Sequence, residues 1–195
     1  MGFLVVSGIH SVGEDVSAAT LCVGLQAQVN VDCRVLLLGS MPGVASLQEQ
    51  RYYAHPRNRF WPLMADICGF DAALPYVQRL QALNAAGIGL WDVIGRCERR
   101  GSLDADIVRG TEVANALPEL IATLPELKLI GCNGGASLQA FQRWVLPRLD
   151  SVRLMLVVNG LRLAVICMRV PPSVVPGGGT CACKVTPGMR PINVV

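Results

Sequence analysis

Arg34-Val35-Leu36-Leu37-Leu38-Gly39-Ser40-Met41-Pro42-Gly43 reads as a strand that runs into a turn, and the residues after it, up to 61, hold the densest chemistry of the chain. Residues 35–38 are wholly apolar and stopped by Gly39, the pattern of a central parallel strand covered on both faces. The turn from Gly39 to Gly43 sits at that strand's carboxyl end, where open α/β sheets place their ligands. Within residues 52–61 follow Tyr52, Tyr53, His55, Arg57, Asn58, Arg59, Phe60 and Trp61. A surface loop without a function has no physical need of so many aromatic and cationic groups.

Composition bounds the rest. With 195 residues, 52% of them hydrophobic and 16% charged, the chain can bury a sizeable core and is not disordered. A formal net charge of +3 allows a nucleic-acid partner only through a local basic face. Residues 1–9 are apolar but lack a basic n-region, and Glu14 and Asp15 soon follow, so the reading is an intracellular, cytoplasmic protein without a secretory signal. The apolar region 154–170 is interrupted by Asn159 and Arg162 and is shorter than the ~20 residues of a spanning helix. The eight cysteines include no C-x-x-C pair, which excludes zinc-ribbon and iron–sulfur spacing. Cys181 and Cys183 are the nearest approach to a ligand pair, and no metal or other cofactor is expected.

Strand and helix signals alternate along the chain. Residues 1–33 show no clear period and read as an irregular lead-in. Residues 60–68 repeat at helical spacing until Gly69. Residues 76–86 suit a second helix with Val77, Leu80 and Leu83 on one side. Residues 89–94 read as a strand, 96–101 as a charged loop, and 102–107 as a helix start with Ser102 as cap and acids behind it. Residues 115–124 read as a helix and 127–131 as a strand that ends in Asn133-Gly134-Gly135. Residues 136–149 read as one amphipathic helix with Leu138, Phe141, Val145 and Leu149 inward. This alternation implies an α/β fold of three layers, α/β/α, around a central, mostly parallel four-stranded sheet.

The segment 151–195 has a different character. It carries Arg153, Arg162, Arg169, Lys184 and Arg190, while all 14 acidic residues lie upstream. The domain reading is therefore an α/β domain over 34–150, followed by an atypical segment that holds a last strand and a non-native or out-of-frame tail.

Residues 39–61 resemble the uracil-DNA glycosylase superfamily, and most closely its hypoxanthine-DNA (deoxyinosine) glycosylase branch. The resemblance rests on Gly39-Ser40-Met41-Pro42-Gly43, on Ser46-Leu47 and above all on Tyr52-Tyr53-Ala54-His55-Pro56-Arg57-Asn58-Arg59-Phe60-Trp61, and extends over residues 34–150. In related mismatch-specific enzymes the first motif carries an Asn where Met41 stands, and that Asn positions the attacking water. A thioether cannot orient water in this way. The hypoxanthine branch resembles this chain in lacking that Asn and relying on the downstream one, which is Asn58.

The resemblance implies a monofunctional glycosylase of base excision repair that takes DNA containing a deaminated base, double- or single-stranded, as a monomer without cofactor. It implies Asn58 as the catalytic residue, with Ser40, Met41, Tyr53 and His55 around the base and Gly39, Pro42 and Gly43 shaping the turn. Tyr53 matches the family's aromatic stacker. Arg57, Arg59, Asn133 and Ser173 are DNA-contact candidates, as are Arg96, Arg99 and Arg100. From pattern alone, Asn58 reads equally as the cap of the helix at 60, Tyr53 as a packing residue and His55 as a structural hydrogen-bonding group. Phe60 and Trp61 are assigned to the core. Other readings are a glycosylase for uracil in mismatches, a defective DNA-binding paralogue, and a nucleotide-binding α/β protein. Gly39 to Gly43 matches neither phosphate-loop fingerprint, which disfavours the last.

Overall fold

The structure, a computed structural model, describes residues 18–149 and, as backbone, the strands within 153–158 and 162–167. The rest, including Ser173 and the proline-rich stretch around it, lies outside the described residues. In chain order the elements are β1 (Thr20–Val23), β2 (Val35–Gly39), α1 (Val44–Glu49), α2 (Phe60–Cys68), α3 (Tyr76–Ala85), β3 (Ile88–Asp92), β4 (Ile94–Arg99), β5 (Val113–Ala114), α4 (Leu117–Ala122), β6 (Leu129–Cys132), α5 (Gly135–Ala140), β7 (Arg153–Val158) and β8 (Arg162–Cys167). The main sheet runs β3-β2-β6-β7-β8. Its first four strands are parallel, and β8 closes the edge antiparallel to β7. The mostly parallel sheet expected with four strands thus has five.

Strand β2 shows why the sheet is covered on both faces. Leu36 and Leu38 point into a core shared with Leu117 and Ile121 of α4, Ala140 of α5 and Phe141 and Val145 just beyond it. Leu37, on the other face, packs with Phe60, Trp61 and Met64 of α2 and Leu83 of α3. Alternation along an extended chain delivers these side chains to opposite layers.

Several expectations from the sequence need correction. Residues 20–23 are not irregular: β1 pairs antiparallel with β4, and β4 with β5, forming a second, three-stranded sheet. The stretch 96–101 read as a loop because its residues are charged, yet it is largely β4. There Cys97 and Arg99 face inward, while Arg96 and Glu98 face solvent. Residues 104–106 make only one 3-10 turn. Ser102 does not cap it: Asp106 Oδ2 accepts from the Leu103 N–H, and Ser102 Oγ accepts from the Val44 N–H instead. Val77 is 62% exposed, so α3 packs mainly through Leu80 and Leu83.

The expected single helix over 136–149 changes pitch, from α5 to a π turn at Phe141–Val145 and a 3-10 turn at Leu146–Arg148. Pro147 has no N–H, and its ring would clash with the carbonyl four residues back, so a regular helix cannot pass through it. Helix α1 was missed, being six residues folded directly out of the turn after β2. Among the described residues no helix is long and apolar enough to cross a membrane.

The fold places the carboxyl ends of β3, β2 and β6 side by side, which brings Asp92, Gly39 and Cys132-Asn133 to one edge. Leu36→Ala would open a cavity at a site with 0% exposure and is expected to cost about 2–5 kcal/mol in urea unfolding. Leu63→Ala, on the solvent side of α2, should stay within ~0.5 kcal/mol of wild type in the same assay.

Candidate active site

The turn leaving β2 is held from below and behind. The Ser40 carbonyl accepts from the Ile94 N–H at 2.8 Å, and the Gly39 carbonyl from Val93 N–H at 2.9 Å and from Ser137 Oγ at 3.1 Å. The Pro42 carbonyl accepts from Arg99 Nη2 at 2.9 Å, the Val44 N–H reaches Ser102 Oγ at 3.1 Å, and Ser40 Oγ donates to Asp104 Oδ1 at 2.7 Å. One short segment, 99–104, therefore grips the turn at three successive points. Met41 and Pro42 are buried, with the Met41 thioether in the core beneath the turn.

The aromatic loop is built on α1 and α2. Ser46 Oγ accepts from the Ala54 N–H, Tyr76 Oη from the Tyr52 N–H, and the Tyr52 carbonyl from Trp61 Nε1. These bonds pin residues 52–54, and Tyr53 adopts a left-handed backbone with φ 56°. Its ring stacks on Phe60 at 3.7 Å between centroids and 16° between planes. Its hydroxyl accepts from Asn133 Nδ2 at 3.0 Å, so the β6 edge and the aromatic loop meet here. Burial pushes the Tyr53 phenol up to about 12, with the Asn133 bond working in the opposite direction. Phe60 and Trp61 are core residues, as the sequence implied.

Asn58 is exposed at the entrance to α2. Its backbone N–H donates to the His55 carbonyl, and its Oδ1 accepts from the Phe60 N–H at 2.8 Å. Asn58 is therefore not the cap itself: Arg59 holds the N-cap position without a side-chain bond, and Asn58, one residue earlier, satisfies the first helical N–H through a local two-residue turn. This bond uses one lone pair of the carboxamide oxygen and fixes the rotamer, leaving the second lone pair for a water. His55 is exposed and its Nδ1 accepts from the Arg57 N–H at 3.2 Å. Tyr53, His55 and Asn58 line one cavity of about 410 Å³, together with Trp61 and Arg79. Ser40 lies apart from them, in a second cavity of about 420 Å³ with Asp104, Arg109, Arg143 and Trp144 that shares no lining residue with the first.

Arg57, Arg59, Arg96 and Arg100 are exposed. Arg99 is not a phosphate contact, because it is only 2% exposed and faces the Pro42 carbonyl from inside the protein. Asp92, Asp104 and Ser137 are the site residues that sequence reasoning missed, while Arg99 and Ser102 carry roles other than the phosphate contact and the helix cap expected of them. Asp92 had one available signal, an acid at the carboxyl end of a parallel strand. Asp104 had none, since its partner Ser40 lies 64 residues away.

Asp92 is 4% exposed, its Oδ2 has no hydrogen-bond partner among the described residues, and a Cβ added to Gly39 would run into its Oδ1. Burial pushes its carboxyl up to about 7, the Tyr52 hydroxyl acting against this and the nearby Asp104 adding to it. Among the described residues no group of three or more His, Cys, Asp or Glu side chains is placed to hold a metal ion.

A family model described as the uracil DNA glycosylase superfamily matches residues 26–176. A protein of Methanosarcina barkeri named hypoxanthine DNA glycosylase is 38% identical over 115 residues, which span 58% of this chain and 72% of that protein. One of the same name from Methanosarcina acetivorans is 37% identical over 112 residues, 57% of this chain and 70% of that protein. The solution NMR structure of a candidate uracil DNA glycosylase from Methanosarcina acetivorans superposes with a TM-score of 0.58 at 30% identity, covering 66% of this chain and 79% of that one.

Asp92 makes stability depend on pH with a defined sign. Its carboxyl titrates higher in the folded protein, about 7, than its ordinary value of 3.8, so the folded state holds the extra proton between these values and stability falls as pH rises through them. Asp92→Asn carries no titrating proton. Chemical denaturation of both proteins from pH 4 to pH 8 should show wild type losing stability relative to the variant as pH rises, and parallel curves would refute the burial account.

Proposed function

The chain belongs to the uracil DNA glycosylase superfamily, and on that premise we propose that it is a monofunctional DNA-deoxyinosine glycosylase, which flips the deaminated base out of DNA and hydrolyses its glycosidic bond. The observation that carries the catalytic part is Asn58, with its carboxamide oxygen fixed by the Phe60 N–H on a cavity shared with Tyr53.

The chemistry follows from where charge develops. As the C1′–N9 bond breaks, positive charge builds on the sugar and the electron pair leaves with the base. Water adds to C1′, its proton passes to the departing base or to solvent, and an abasic site and free hypoxanthine result. The Asn58 oxygen accepts from the water and faces the cationic sugar while staying neutral at every pH. The protein makes no covalent bond to the sugar, and none of the residues 39–61 is a lysine that would form one.

The target base must leave the stack to reach this site. Tyr53 offers an aromatic surface for it, and Phe60 behind the ring holds that surface in place. The exposed Arg57 and Arg59 flank Asn58 and suit the backbone phosphates of the bound strand. DNA carrying a deaminated base is the partner, and a single chain supplies every residue of the proposed site. A uracil preference is the second reading, favoured by the structural neighbour described as a candidate uracil DNA glycosylase.

Under single-turnover conditions, wild type should convert duplexes containing deoxyinosine to alkali-labile abasic sites. Asn58→Ala should slow this by about two orders of magnitude or more, the size expected when one preorganised group at the transition state is lost. Binding of the same duplex should change little. Full activity of the variant would remove Asn58 from the mechanism, and a faster rate on deoxyuridine than on deoxyinosine would establish the second reading.

A further inference from the structure

Two guanidinium groups share one tyrosine ring on the wall of the Asn58 cavity. Arg79 of α3 lies 4.8 Å from the Trp61 ring centroid and 5.9 Å from that of Tyr76, and Arg51 lies 5.8 Å from the same Tyr76 ring. All four side chains line the cavity of about 410 Å³ that Tyr53 and Asn58 also line. Stacking on rings uses the flat faces of a guanidinium and leaves its N–H donors, which lie in its plane, for a partner. Arg79 has none: its guanidinium makes no hydrogen bond or ion pair among the described residues, and its Nε is sealed from solvent without an acceptor.

Arg51 faces one acid, Glu49 at 3.9 Å, and both side chains are more than half exposed, so the pair is weak. Glu49 is also the only acid among the residues that line this cavity. Two cations gathered there repel each other unless an anion joins them. The Tyr76 hydroxyl adds a donor, because it accepts from the Tyr52 N–H at 2.9 Å and its own proton has no acceptor among the described residues. Planar arginines braced on rings suit an oxygen anion that accepts two parallel bonds, and phosphate is such an anion. DNA brings one with the substrate. The phosphates on either side of a flipped nucleotide travel with its sugar, so a sugar at Asn58 carries them to the walls that Arg79 and Arg51 share with it.

Building on the glycosylase reading, we infer that Arg79 and Arg51, braced on Trp61 and Tyr76, form a phosphate subsite that takes a backbone phosphate beside the flipped nucleotide. The subsite lies within the cavity, so it engages only after the nucleotide has left the stack. It therefore strengthens binding of DNA with a flipped base and contributes little on an intact duplex. Through Tyr76, which holds the Tyr52 N–H, the bound phosphate also steadies the loop that presents Tyr53.

The test uses duplexes with one 2′-fluoro-deoxyinosine, whose fluorine destabilises the cationic sugar and blocks cleavage. In each duplex a different single phosphate near that nucleotide is replaced by a neutral methylphosphonate. Wild type should lose about tenfold in affinity or more at one position, the loss expected of a charge-assisted bidentate contact. Arg79→Gln should bind the unmodified inosine duplex about tenfold more weakly, with the slope of log affinity against log salt reduced by about one, and an undamaged duplex nearly as wild type does. Neutralising the critical phosphate should then cost this variant little. Arg51→Gln, at an exposed position, should shrink the same positional penalty several-fold. Each penalty is a ratio of two duplexes measured on one preparation, so partial misfolding cancels.

Positional penalties as large in both variants as in wild type, in an enzyme whose wild type releases hypoxanthine, would overturn this inference and leave the activity standing. A folded wild type that neither releases hypoxanthine nor prefers the inosine duplex to the undamaged one would overturn both.

Discussion

A cation buried inside the protein supports the turn on which the site is built. Arg99 is almost wholly enclosed, and of its guanidinium donors only Nη2 has a partner among the described residues, the Pro42 carbonyl; Nε and Nη1 have none. Taking a guanidinium out of water with so little compensation is costly, and its return is geometric. With Arg99 under Pro42, Ser102 under Val44 and Asp104 beside Ser40, the turn cannot move without breaking three bonds to one neighbouring segment. The end of β4 and the segment that leaves it are therefore the foundation of the site, through side chains other than the exposed Arg96.

Two halves, the aromatic loop and the turn, meet on this foundation. The aromatic loop holds Asn58 where positive charge would develop, with Tyr53 clamped between Phe60 and Asn133. Asp92 stands behind both as a buried carboxyl whose Oδ2 has no partner among the described residues and whose Oδ1 occupies the place a Cβ on residue 39 would take. A neutral carboxyl is tolerated in such a place far better than a carboxylate, which agrees with the upward push on its titration.

Much of this was legible in the sequence because it rests on local signals. The run Val35 to Leu38 with Gly39, the helix from Phe60 to its left-handed cap at Gly69, and the asparagine before Phe60-Trp61 each announce themselves within a few residues. Illegible features depend on distant partners. Arg99 reads as a surface charge until β1 and β5 flank its strand and the turn covers it. Ser102 looks like a helix cap because the competing donor, Val44, lies 58 residues away. The helix from 135 leaves α pitch at Phe141 and ends in a 3-10 turn at Pro147, and the amphipathic pattern that runs on to Leu149 masks both changes. Val77 fits the helical period yet faces solvent, since a single helix face wider than its contact leaves its border exposed.

The most direct measurement is mass-spectrometric identification of the free base released by the folded protein from matched duplexes carrying one deoxyinosine, one deoxyuridine or one deoxyadenosine. The account predicts free hypoxanthine in step with abasic sites and no adenine. Release of adenine, or no base from any duplex by a protein with a cooperative melting transition, would contradict it.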